Sequence, residues 1–123
     1  MIRLIHCMKR REDVSIEAFR KFWNSAEFNE LIDRAMGYAL TIEVKKNLTL
    51  DIELNQLLRE ERNAKPAFDG ILEVVWQSGS DLSVLLDDPD FQRLTQELQA
   101  VQQPFVDFIE SRRFFTEYND ASS

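Results

Sequence analysis

A chain of 123 residues fits one domain and is long enough to bury a real core. Its net charge of −7, with no basic stripe interleaved with aromatics, argues against nucleic acid or an anionic membrane as partner. One histidine and one cysteine cannot supply the roughly four ligands of a closed zinc site, and a lone cysteine allows no internal disulfide.

In chain order, residues 1–9 alternate as a strand, with Ile2, Leu4, His6 and Met8 on one face and Arg3, Ile5, Cys7 and Lys9 on the other. Ser15 has the position of a helix N-cap, and Ile16, Phe19, Phe22, Trp23 and Ala26 follow at helical spacing. The stripe then changes phase at Phe28, Leu31, Ile32 and Ala35, which predicts a kink or a new helix near Ser25 to Phe28, ending at Gly37. Tyr38 to Lys46 alternate as a second strand. Residues 47–66 form an excursion, in which Leu50, Leu54, Leu57 and Leu58 are spaced for a short amphipathic helix. Asp69-Gly70 is turn chemistry, and Ile71 to Trp76 is a strand apolar on both faces except at Glu73. Leu82, Leu85 and Leu86 suggest a short helix. Asp88-Pro89 caps another, which carries Phe91, Leu94, Leu98 and Val101 and stops at Pro104. Phe105 to Glu110 is ambiguous, Arg112 to Tyr118 reads as the last strand, and the tail after Asn119 is expected to fray.

The order β-α-β-(insertion)-β-α-β predicts one α+β domain over residues 1–123, of ferredoxin-like type, with an antiparallel sheet. Both helices of that arrangement pack on one sheet face, and the other face should be polar if it meets water. Here the third strand is apolar on both sides, so the second face needs a cover. A second copy of the chain, sheet against sheet, is the expected cover, and the Leu50 to Leu58 helix folded back is the alternative.

No glycine-rich phosphate loop and no G-x-S-x-G elbow occurs, so no cofactor and no metal are expected. His6 points at an apolar face, either as a core histidine with a backbone partner or as a pocket acid or base. Glu73 must be paired, hydrogen-bonded or shifted in pKa. Arg3 or Lys45 across the sheet would satisfy it, and a pocket role is the other possibility. Glu27, four residues after Trp23, faces solvent unless the kink turns it into a pocket. Trp23, Tyr38 and Trp76 are core or interface aromatics that could also line a ligand site. Cys7 reads as a packing residue. The start Met1-Ile2-Arg3-Leu4 has no basic region followed by an apolar run, and no stretch is long enough to span a membrane, so a cytoplasmic protein is expected.

Several motifs taken together resemble the EthD family. Met1-Ile2-Arg3-Leu4-Ile5 leads through Met8-Lys9-Arg10-Arg11 to Val14-Ser15, Phe19 and Phe22-Trp23. Phe68-Asp69-Gly70-Ile71-Leu72-Glu73-Val74-Val75-Trp76 is similar to that family's aromatic-Asp-Gly strand, and Phe105-Val106-Asp107 to its segment before the last strand. The resemblance implies a dimeric α/β barrel in which each protomer keeps a small pocket between sheet and helices. The family usually has a histidine four residues after the helical tryptophan; Glu27 stands there in this chain. Two functions follow from the resemblance. One is a non-catalytic homodimer that binds a small hydrophobic ligand or supports a partner enzyme. The other is a cofactor-free decarboxylase, cyclase, isomerase or oxygenase for an aromatic or polyketide-like substrate, with Glu27 and His6 or Glu73 moving the proton.

Overall fold

The computed structural model describes residues 1–119, and the expected frayed tail lies outside them. In chain order the elements are β1 (Ile2–Arg10), α1 (Ile16–Trp23), α2 (Ala26–Tyr38), β2 (Glu43–Leu48), α3 (Glu53–Glu61), β3 (Gly70–Trp76), α4 (Gly79–Leu86), α5 (Pro89–Gln102) and β4 (Val106–Glu117). The sheet runs β2-β3-β1-β4 with every neighbouring pair antiparallel. This is the ferredoxin-like α+β arrangement, with a helical insertion between β2 and β3.

The phase change in the first helical segment is a true break. Ser15 Oγ accepts from Ala18 N–H at 3.0 Å and starts α1. Ser25 Oγ donates to Phe22 O at 2.7 Å, closing α1, and accepts from Phe28 N–H at 3.3 Å, opening α2. One hydroxyl therefore satisfies an orphan carbonyl of one helix and an orphan amide of the next. The restart brings Phe28, Leu31, Ile32 and Ala35 onto the core side, where Phe28 is fully buried against Phe22 with ring centroids 4.5 Å apart.

β2 begins later than the alternation from Tyr38 predicts. Tyr38 instead completes α2, and its hydroxyl donates to Asp88 Oδ2 at 2.6 Å. Leu40 follows with φ of 54° and 85% of its surface exposed, and strand pairing starts at Glu43. Conversely, β4 starts earlier than expected and takes in the ambiguous Val106 to Glu110 stretch. Its pairing with β1 shifts between Cys7 and Lys9. Ser111 Oγ bridges the irregularity, accepting from Lys9 N–H at 2.9 Å and donating to Asp107 O at 2.6 Å. Such a bulge breaks the two-residue period by which a strand is recognised.

The motif around Asp69-Gly70 is architectural. A Cβ on Gly70 would stand 2.5 Å from the Trp23 ring, so only glycine lets the indole lie flat on the strand. The Asp69 carboxylate accepts from Arg10 N–H at 2.9 Å and lies 3.5 Å from Lys9 Nζ, which ties the end of β1 to the start of β3. Lys46 closes this corner from β2. Its ammonium donates to Trp23 O and to Asn29 Oδ1, each at 2.6 Å, and lies 5.0 Å from the Trp23 ring centroid. Burial lowers its pKa.

Alternation divides the sheet into two faces. Leu4, His6 and Met8 of β1 and Leu72, Val74 and Trp76 of β3 face the helices. Arg3, Ile5, Cys7, Ile71, Glu73 and Val75 face away, with Phe114 of β4 opposite Ile5. The insertion does not cover that outer face. None of the α3 residues is buried, and Leu54, Leu57 and Leu58 are all exposed.

Candidate functional site

A cavity of about 610 Å³ lies between the sheet and α4–α5. That is within the range of small-molecule sites, roughly 300–1,000 Å³. Its floor is Leu4, Leu72, Val74 and Trp76 of the sheet, and its roof includes Met36, Phe91 and Leu98 of the helices. Trp76 is fixed there because its indole N–H donates to Ala39 O at 3.2 Å. Phe115 of the edge strand packs against the same indole at 6.4 Å between centroids.

Thr95, Gln96, Gln99 and Ser111 also line this mainly apolar space, and three further polar side chains stand out for their chemistry. His6, nearly buried, reaches it from the middle of β1 and sits opposite Arg113 in the β1–β4 register. Burial, and secondarily the Arg113 charge, lower the His6 pKa from 6.5 to about 4, so the imidazole is neutral at pH 7. Gln102, in the last turn of α5, is 6% exposed, and its Oε1 has no hydrogen-bond partner. Arg113 is the one charged residue lining the cavity among the described residues.

The other sequence-predicted residues lie elsewhere, with the exception of Trp76. Glu27 is in the exposed first turn of α2, beside Glu30, Arg34 and Glu97 in a shallow groove on the α2–α5 surface. Because Ser25 restarts the helix, Phe28 and not Glu27 takes the inward position, and Glu27 keeps the solvent-facing place that the spacing from Trp23 suggests, outside the cavity between sheet and helices. Glu73 is on the outer sheet face, where it accepts from Arg3 Nη1 at 2.9 Å and from Asn47 Nδ2 at 2.9 Å. Arg3 is the cross-sheet partner considered for it, and the side chain lies on the sheet face away from the helices, outside the cavity. Trp23 is core, seated on Gly70 at the far end of the sheet, and does not line the cavity. Tyr38 stacks on Phe91 at 6.5 Å from outside, and its hydrogen bond to Asp88 raises its pKa to about 12. Cys7 is buried on the outer face, with its thiol pKa raised by burial and then by Glu73.

Gln102 and Arg113 escape a reading built on apolar periodicity. Both could be found by phase. Gln102 lies four residues after Leu98 on the buried stripe of α5, and Arg113 shares a face with Phe115 in β4. Among the described residues no three His, Cys, Asp or Glu side chains gather in a way that could hold a metal ion. No helix there is long and apolar enough to cross a membrane.

The fold has a similar solved structure, a dimeric protein of unknown function and ferredoxin-like fold from Bacteroides fragilis NCTC 9343. The TM-score is 0.59 at 12% identity, over 95% of each chain. At that identity the likeness shows the fold alone. No protein-family model matches the chain, and no curated protein does.

Proposed function

We propose that this chain is an EthD-like homodimer that binds a small, mainly apolar ligand between its sheet and its helices, as a carrier or in support of a partner enzyme. The observation that carries the reading is the cavity itself, walled by Leu4, Leu72, Val74, Trp76, Phe91 and Leu98, with the buried polar side chains His6, Gln102 and Ser111 among the lining of a mainly apolar space. Pairing of two copies is supported by the apolar outer sheet face, which α3 leaves open, and by the dimeric state of the similar structure.

A cofactor-free enzyme is the second reading, and His6 is what favours it. It is the one titratable group in the cavity, besides Arg113, among the described residues. A neutral imidazole there can take a proton from a bound acid. Its conjugate-acid pKa of about 4 makes it roughly a thousandfold less basic than a general base poised near pH 7. That deficit, with Glu27 and Glu73 both outside the cavity, puts binding ahead of catalysis.

Native mass spectrometry of freshly purified protein tests the proposal. The expected species is twice the chain mass, carrying a small molecule that harsher desolvation releases. Thr95→Trp, which fills the cavity from α5, should keep the dimer and lose the added mass. A monomer sinks the pairing. A dimer with no added mass and no response to 8-anilinonaphthalene-1-sulfonate sinks ligand binding.

A further inference from the structure

The polar groups of the cavity are unequal in a way that selects among apolar ligands. The chain carries 22 acidic and 15 basic residues, yet no carboxylate lines this space and its single charge is Arg113. No described carboxylate lies within ion-pair distance of that guanidinium. A cation without a counter-ion, at the edge of an apolar cavity, attracts an anion more strongly than the same cation in water would. His6, directly opposite, is neutral and does not compete for that anion. Deeper in, the Gln102 amide is more than nine-tenths buried with its oxygen unpaired. Buried amides are almost always satisfied, so this one marks a place for a donor from outside the protein.

We propose that the cavity takes a hydrophobic anion, its acidic head held by Arg113 and a hydrogen-bond donor on its body met by Gln102. This rests on the ligand-binding reading above and narrows it. Arg113 and Gln102 are then the specificity determinants, and Trp76, Phe91 and Leu98 supply the apolar grip.

Isothermal titration of the full chain with four naphthalene probes separates the parts. 2-Naphthoate has the head alone and 2-naphthol the donor alone. 3-Hydroxy- and 6-hydroxy-2-naphthoate have both, at two separations. The acid should bind about tenfold tighter than 2-naphthol, a difference of roughly 1.4 kcal/mol. At least one hydroxy acid should bind tighter than both. Arg113→Gln, a change at an exposed position, should erase the advantage of the acid while 2-naphthol still binds. Gln102→Leu should erase the gain from the added hydroxyl and leave 2-naphthoate binding. Equal affinities for 2-naphthoate and 2-naphthol, or a preference that survives Arg113→Gln, would overturn the assignment while leaving ligand binding intact. No binding of any probe, in a protein that also carries no added mass, would overturn both.

Discussion

His6 shows how far a single side chain can be followed from sequence to energetics. Alternation with Leu4 and Met8 puts it on the helix-facing side of β1, and the structure adds burial and the facing Arg113. The unfolded chain protonates this imidazole near pH 6.5, whereas the folded chain refuses the proton until about pH 4. Folding therefore has full stability from this group above pH 6.5, and loses it as the pH falls through that window. The loss approaches about 3 kcal/mol at pH 4, at about 1.4 kcal/mol per unit of pKa difference. His6→Leu abolishes the shift, so the stability difference between wild type and variant in urea should move by about 2–3 kcal/mol between pH 7 and pH 4.5, in the variant's favour at acid pH. A difference that stays constant over that range contradicts the buried neutral imidazole. Glu27 was less legible than His6. Its side depends on where Ser25 restarts the helix, and a shift of one residue turns a helical side chain by about 100°. Glu73 was legible as a charge needing a partner, and Arg3 is that partner.

At the scale of elements, periodicity found the strands and helices wherever one face is buried and the other wet. It failed at the exposed apolar run that follows α2. Tyr38, Leu40, Ile42 and Val44 alternate like a strand, yet Leu40 and Ile42 lie outside the core and Tyr38 belongs to α2. The chain turns there by placing Leu40 at a positive φ, a conformation that costs a non-glycine residue roughly 1–2 kcal/mol. Gly37, the glycine nearest that turn, does not take the positive-φ position. Leu40→Gly should therefore raise stability by roughly 0.5–1 kcal/mol, the relief of strain outweighing the added freedom of the unfolded chain. Chemical denaturation at fixed pH reads this directly, and a loss of stability would show that Leu40 makes contacts worth more than its strain. β4 was hidden for a different reason. Its bulge, closed by Ser111, interrupts the alternation at the point where strand and loop must be told apart.

For the whole molecule, the sheet order follows from the element order, and the excess of apolar side chains on the outer face was visible before any coordinates. The proposed homodimer uses that face. Ile5 and Phe114 pair across β1 and β4 on it, and Phe114 keeps 47% of its surface exposed in the single chain. An apolar pair at the centre of an interface is where binding energy concentrates, and burying a charge there without a partner costs several kcal/mol. Phe114→Glu should convert a dimer into a folded monomer, seen by light scattering after size exclusion with the far-ultraviolet circular dichroism unchanged. A dimer that survives this change would move the interface to another surface. Cavity volume and the unpaired Gln102 amide could not be read in advance, because each depends on how far α5 stands from the sheet.

The insertion that carries α3 leaves and re-enters the sheet at one point. Leu48 pairs with Gly70, and Thr49 N–H donates to Asp69 O at 3.0 Å, so its two ends are clasped as the stem of a hairpin. With the stem closed and no α3 residue buried, the insertion adds nothing to the core, and Lys9 Nζ, donating to Ala67 O at 3.1 Å, holds it next to the stem. Halving the length of such a loop changes its closure entropy by only about 0.6 kcal/mol. The chain thus has a natural grafting point, at which segments of other lengths and chemistries can be exchanged during evolution or by design without moving the strand register or disturbing the cavity behind it.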